Sequence, residues 1–261
     1  MSFYEQKFDD RMYLKSDIID TVHGFTSKLG GVSQGKICGY NFGFRVGDDE
    51  NSVRENYRLL SCDLGFSLDR CVLSKQTHTS NIRIVTEDDC GKGVIRASDI
   101  EDTDGLITNI PNIALVVFAA DCVPIILYDK VKKVAAAVHA GWRGSVAGIA
   151  PKCVELMVSS FDCNPKDIAA AIGPSIGQCC FEFGDEAVIY FDNKYYTPKD
   201  NNKYNIDLWS YNRDQLTEAG LIPEKIDISG VCTMCHSDKF YSYRTHKDGT
   251  GRQVAVIMIK G

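Results

Sequence analysis

Pro124-Ile-Ile-Leu-Tyr-Asp129 and Lys133-Val-Ala-Ala-Ala-Val138-His139 are two apolar runs separated by a short charged turn around Lys130 and Val131. Their length and bounds are those of buried strands, and the short connection makes an antiparallel hairpin the economical reading. A hairpin folded at that turn sets Asp129 opposite Lys132. The same pairing continued outward brings Cys122 opposite His139, so a thiol and an imidazole meet at its open end. Beyond the second strand comes Val138-His-Ala-Gly-Trp-Arg-Gly144, and then a helical pattern from Ser145 to Phe161 with Val146, Ile149, Ala150, Cys153, Val154, Met157 and Val158 on one face. Such strand-to-helix junctions in α/β sheets are common ligand sites, because the first helical N–H groups lack partners and favour anions.

The remaining chain alternates in the same manner. Asp48 or Asn51 caps a helix bearing Val53, Tyr57, Leu60 and Leu64. Cys71–Ser74 and Ile82–Val85 read as strands flanking a polar loop, Lys75-Gln-Thr-His-Thr-Ser80. Further short strands are expected at Leu106–Thr108, Ile113–Phe118, Asp167–Ile172, Ile226–Cys232 and Gln253–Ile259, and Asp207 caps a helix reaching Ala219. The glycine-rich stretch from Ile18 to Phe44 reads as a strand followed by loops. No repeat, low-complexity tract or linker interrupts the pattern. The expectation is a single α/β domain over residues 1–261, a layered sandwich with mixed β-sheets and helices on its outer faces.

Composition narrows the function classes. The apolar fraction of 44% is that of an ordinary globular protein of 261 residues, and 29 basic against 35 acidic side chains give a net charge of -6. No broad basic field invites nucleic acid or an anionic membrane. There is no apolar stretch of spanning length, and Met1–Phe8 lacks the core of a signal peptide, so a cytoplasmic protein is expected. A monomer is the expected assembly. Eleven cysteines, an odd number in a long chain, fit reduced thiols. Cys232 and Cys235 could be a redox dithiol, half of a zinc site or core residues, and core packing is the favoured reading. Adjacent Cys179 and Cys180 are poorly placed to bond each other and read as packed or facing a pocket.

Only five histidines are present. If His78 joins the hairpin end, His78, Cys122 and His139 form a set of two imidazoles and one thiolate with room for a fourth ligand, the donor set of a catalytic zinc ion. The same set could hold copper, although a multicopper oxidase needs more imidazoles than the chain has. Without metal, Cys122 could act as a nucleophile with His139 as its base. What raises these readings is the company of Asp121, Arg143 and several glycines. The aromatics and cations from Phe240 to Arg252, Arg244 among them, could stack on a base and bind phosphate.

Several of these motifs, Gln76-Thr-His78, Asp104-Gly-Leu-Ile-Thr108, Ala120-Asp-Cys-Val-Pro124, His139-Ala-Gly-Trp-Arg-Gly144, Ile172-Gly-Pro174, Tyr241-Ser-Tyr-Arg244 and Gly251-Arg252, occur in this order along nearly the whole chain. In this the sequence resembles the multicopper polyphenol oxidase (laccase domain) family, also called the YfiH/YlmD purine nucleoside phosphorylase family. The resemblance implies a compact α/β sandwich and zinc held by His78, Cys122 and His139. It also implies phosphorolysis of adenosine, inosine, guanosine and methylthioadenosine, with adenosine deamination, so the implied partners are purine nucleosides and phosphate. For that chemistry Asp121 is the expected proton carrier, Arg143 beside the helix start is the natural anion holder with Arg58 a weaker candidate, and Gln76 is expected to touch base or sugar. A copper phenol oxidase and a thiol amidohydrolase of peptidoglycan precursors stand as rivals. The chain departs from the pattern where Thr245 follows Arg244.

Overall fold

A computed structural model describes residues 3–261. Two six-stranded mixed sheets lie face to face. In spatial order the first runs Phe3–Phe8, Arg11–Ser16, Val22–Thr26, Gln253–Met258, Ala114–Ala119 and Cys71–Leu73. The second runs Ile226–Ile228, Ile168–Ile172, Val123–Asp129, Val134–Ala140, Gly105–Thr108 and Ile82–Ile84. A small three-stranded sheet, Glu182–Phe183, Lys203–Ile206 and Tyr196–Lys199, lies beside them. The expected mixed-sheet α/β sandwich is what the chain forms. None of its described helices is long and apolar enough to cross a membrane.

The central strands are apolar on both faces because each face meets a different core. Ile126, Tyr128, Ala135, Ala137, Ala169 and Ala171 turn toward the first sheet and pack with Phe25, Leu115, Val117 and Ile257. Their neighbours Ile125, Leu127, Val134, Ala136 and Val138 turn the other way, onto Ile149, Cys153, Val154 and Met157 of the helix Ile149–Phe161 and onto Leu208 and Leu216 of the helix Leu208–Glu218. Strand geometry sends successive side chains to opposite faces, and the alanines on the inner face leave room for the larger residues opposite. The helix Glu50–Leu64 covers the outer face of the first sheet with Val53, Tyr57, Leu60 and Leu64.

Four expectations change in detail. The hairpin pairs Asp129 with Val134 and Pro124 with His139, so its loop is wider by two residues than supposed. The Asp129 carboxylate accepts the N–H groups of Val131 (2.8 Å) and Lys132 (3.0 Å) and closes that loop. The helix after His139 is broken in two, Trp142–Val146 and Ile149–Phe161, because Gly148 adopts a left-handed conformation at φ 75°. The cap of the first long helix is Asp49, whose carboxylate accepts the Ser52 N–H at 2.8 Å. An N-terminal hairpin, Phe3–Phe8 with Arg11–Ser16, was not anticipated.

Candidate metal centre

The topology gathers one end of both sheets. Cys71–Leu73 and Ala114–Ala119 run parallel in the first sheet, so the segments that leave them depart from the same edge. Each then crosses to the second sheet, one through His78 to Ile82–Ile84 and the other through Cys122 to Val123–Asp129. Val134–Ala140 runs antiparallel to Val123–Asp129 and ends at that same edge, carrying His139. The two-residue shift in the hairpin matters little here. Residues 139 and 141 share a face, so Cys122 still meets His139 as a diagonal neighbour.

The donor atoms of His78, Cys122 and His139 all lie within 4.8 Å of one another. His139 is buried, Cys122 half-buried and His78 exposed toward the cavity, a graded exposure that leaves one side of the group open. Asp104, at the start of the strand Gly105–Thr108, supports two of the three. Its carboxylate accepts His139 Nδ1–H at 2.7 Å, and its carbonyl accepts the His139 backbone N–H at 2.7 Å. A carboxylate can only accept here, so Nδ1 keeps its proton, and Nε2 is the nitrogen that would bind a metal, which displaces any proton there. The same carboxylate accepts the backbone N–H groups of Thr77 (3.2 Å), His78 (3.1 Å) and Thr79 (2.7 Å), and the Thr79 hydroxyl at 2.8 Å. These bonds hold the His78 loop, where His78 itself sits at φ 65°. Gly141 completes the cradle: a Cβ there would stand 2.8 Å from His78 Nδ1 and 3.2 Å from the Cys122 sulfur.

The charges suit a metal ligand set. Burial pushes the Cys122 thiol up, but His139 and His78 outweigh it and leave the thiol lowered to about 6. Burial pulls His139 down, while Cys122 and Asp104 raise it to about 9. Asp104 is pushed up by burial and pulled down by the bonds from His139 and Thr79, to about 2. A thiolate and two imidazoles are soft-to-borderline donors of the kind zinc accepts, and three ligands leave a tetrahedral position vacant. His23 lies apart from this group, bonded to Ser16 and Thr21, and neither His236 nor His246 joins it, so among the described residues the donors fit one ion and not a multicopper cluster.

His78, Cys122 and His139 open onto a cavity of about 820 Å³. Phe44, Val94, Ile95 and Phe118 give it apolar walls, and the exposed ring of Tyr243 also lines it. Five basic side chains line it against two acidic ones. Arg54 pairs with Glu50 and Lys75 with Glu101, and Arg96 donates to the Cys90 and Asp88 carbonyls. Arg45 and Arg252 have no acidic partner among the described residues, although Arg252 Nη1 donates to the Thr250 and Gly251 carbonyls at 2.7 and 3.0 Å. Burial lowers the Arg252 guanidinium, and the negative charges of Cys122 and Asp121 act against that lowering.

Other sequence candidates are placed differently. Arg143 is exposed, stacks on Trp142 with its guanidinium carbon 4.3 Å from the ring, and does not line the cavity. Arg58 lies on the exposed face of its helix, paired with Glu55 at 2.7 Å. Arg244 reaches the Glu182 carbonyl at 2.9 Å, away from the cavity. Asp121 lines no part of the cavity; its carboxylate accepts the hydroxyls of Thr233 (2.6 Å) and Ser242 (3.1 Å) and the Arg244 N–H (2.6 Å). Gln76 does line the cavity, with both ends of its amide bonded to the Phe118 backbone at 2.7 and 2.9 Å. Asp104 and Arg252 are the residues whose parts went unassigned. Both stood inside quoted motifs, and an acid beside the strand that flanks a candidate histidine was the available signal for Asp104.

The family profile described as multi-copper polyphenol oxidoreductase laccase matches residues 22–260. The chain is 35% identical over 248 residues to a purine nucleoside phosphorylase YlmD of Bacillus subtilis, covering 92% of this chain and 89% of that one. It is 34% identical over 257 residues to an adenosine deaminase RL5 from an unknown prokaryotic organism, covering 93% and 95%. The crystal structure of YlmD from Geobacillus stearothermophilus superposes with a TM-score of 0.94 at 33% identity, over 100% of both chains. A two-sheet sandwich with this edge site, matched in sequence almost from end to end, places the chain in the multi-copper polyphenol oxidoreductase laccase family.

Proposed function

We propose that this protein is a zinc-dependent purine nucleoside phosphorylase acting on adenosine, inosine, guanosine and methylthioadenosine, with adenosine deaminase activity. The observation that carries the reading is the His78–Cys122–His139 group opening into a cavity of about 820 Å³ that also holds two cations without acidic partners, Arg45 and Arg252. Relatives named as purine nucleoside phosphorylases and as an adenosine deaminase support it. The volume is that of a small-molecule site. Eleven free cysteines suit a cytoplasmic protein.

His78, Cys122 and His139 would hold the zinc ion. When bound, it supplies Lewis-acid chemistry and acidifies water near neutral pH. Asp104 fixes His139 in the tautomer whose Nε2 faces the group. Arg252, with Arg45 at the mouth, holds phosphate against the anomeric carbon; the C1′–N9 bond breaks as the phosphate oxygen bonds to C1′, and the purine leaves. Tyr243, whose exposed ring lines the cavity, is the aromatic side chain available to the base. The apolar wall from Val94 to Ile95 and Phe118 excludes bulk water from one side.

The test is to incubate the pure protein with adenosine, with and without phosphate, and to separate the products. Adenine and ribose 1-phosphate appearing only with phosphate, and inosine appearing without it, are expected. Neither product from zinc-loaded protein would refute the reading.

A further inference from the structure

A second group of metal-binding side chains lies outside the cavity. Cys179 and Cys180 sit in the turn that follows Gly173-Pro-Ser-Ile-Gly177, and Cys232 and Cys235 sit in the turn after the strand Ile226–Ile228. Their four sulfurs all lie within 4.8 Å of one another. The Cys235 sulfur is 3.6 Å from that of Cys179 and 3.4 Å from that of Cys180. Four sulfurs each about 2.3 Å from a tetrahedral zinc ion stand roughly 3.8 Å apart. The spacing is therefore that of ligands around one ion.

Packing accounts for Cys232 and Cys180 but not for Cys179 and Cys235. Cys232 is buried in the core, as the sequence suggested, but Cys179 and Cys235 are exposed, so no burial of apolar surface draws them together. The backbone has been shaped around the sulfurs instead. Ser175 pairs with Cys232 in a parallel bridge, and the Ser175 carbonyl accepts the Thr233 N–H at 3.0 Å. The Gly177 N–H donates to the Cys232 sulfur at 3.2 Å, the contact that stabilises a metal-bound thiolate. A Cβ at Gly177 would stand 2.8 Å from Trp209 and 3.3 Å from the Cys232 Cβ, so the close approach depends on glycine. The Cys-x-x-Cys spacing of Cys232 and Cys235 supplies half of a common zinc motif, and the adjacent pair supplies the rest.

We propose that Cys179, Cys180, Cys232 and Cys235 bind a structural zinc ion, separate from the one assigned to His78, Cys122 and His139. Four thiolates fill a tetrahedral shell and leave no place for substrate, which makes the site a staple and not a catalytic centre. What it fastens is the back of the active site. Thr233, next to Cys232, donates to Asp121, which adjoins Cys122, and Arg244 is tied to the carbonyl of Glu182 just beyond Cys180. The ion joins two loops far apart in sequence that are otherwise tied by hydrogen bonds such as Thr233 N–H to the Ser175 carbonyl and by the packing of Cys232 with Ile176 and Phe181. The proposal rests on the cysteine group alone and is independent of the substrate reading.

The experiment is metal analysis of protein produced with added zinc and purified under reducing conditions. Two zinc ions per chain are expected in the unaltered protein, one in Cys179→Ser/Cys235→Ser, and one in His78→Ala. Equal zinc in the unaltered protein and the double cysteine variant would overturn the proposal, as would iron in place of zinc at this site. Should the double variant fail to fold, alkylation mapped by mass spectrometry on the unaltered protein decides. Cys179 and Cys235 are expected to be protected until a chelator is added; alkylation of both at the same rate before and after chelation, or a disulfide between them, would overturn the site.

Discussion

Replacing Asp104 by asparagine removes one charge and changes little in shape, and its consequences can be worked from the hydrogen bonds. One carboxylate oxygen accepts from Thr77 N–H, Thr79 N–H and the Thr79 hydroxyl; the other accepts from His78 N–H and His139 Nδ1–H. An asparagine keeps more bonds by leaving its oxygen toward the three donors of the first set. Its NH2 group then faces His139 Nδ1, which must give up its proton and accept. The proton moves to Nε2, the nitrogen needed for the metal. The loss of such an orienting partner weakens metal binding by roughly 10- to 100-fold, or about 1.4 to 2.7 kcal/mol. The His78 N–H also loses its acceptor, a further cost of about 1–3 kcal/mol to folding. Competition with a chromophoric chelator measures the first effect and urea unfolding of the metal-free protein the second. Zinc affinity of Asp104→Asn within about threefold of the unaltered protein would refute the tautomer argument, whatever happens to activity.

Four other substitutions probe separate parts of the account. Gly141→Ala puts a methyl group 2.8 Å from His78 Nδ1 and 3.2 Å from the Cys122 sulfur at a backbone conformation alanine accepts (φ −62°), so the variant should fold but bind less than one zinc in the cavity site, as read by metal analysis and circular dichroism. Arg252→Ala should raise the phosphate KM roughly 10- to 100-fold by loss of a charged hydrogen bond, while Arg143→Ala should leave it within about twofold, in steady-state phosphorolysis. His23 is buried and neutral: burial lowers it from 6.5 to about 4, with Nε2 accepting the Ser16 N–H and Nδ1–H bonded to the Thr21 carbonyl. The unfolded chain therefore takes up this proton first as pH falls, so the contribution is intact above pH 6.5 and is lost progressively toward pH 4, about 3 kcal/mol in all. Urea unfolding at pH 7 and pH 4.5 should show that part of the slope missing in His23→Gln, which keeps an acceptor for Ser16.

The strands around the site were legible because their apolar runs are bounded by turn residues and carry chemistry at their ends. Cys122 and His139 meet although the hairpin register differs from the one its charged turn predicts, since the Asp129 turn widens the loop by an even number of residues and leaves both on one face. An odd shift would have separated them. Less could be read where tertiary contacts decide. The Ala147-Gly148 break sits inside an apolar periodicity that continues across it. The N-terminal hairpin turns on Asp9-Asp10, a weak turn signal. Arg143 drew attention by adjacency to His139, whereas Arg252 reaches the cavity from the start of Gln253–Met258 in the other sheet, where Gln253 pairs with Ala119. The two halves of the cysteine group gave only half a motif each.

The most direct measurement is a crystal structure of zinc-loaded protein with anomalous data collected on both sides of the zinc absorption edge. A peak about 2.0–2.3 Å from the Cys122 sulfur and from one imidazole nitrogen each of His78 and His139, with the fourth position turned to the cavity, is the expected result. No peak among these three side chains, or an ion there whose fourth ligand is a protein side chain that closes the site, would contradict the assignment of a catalytic metal centre.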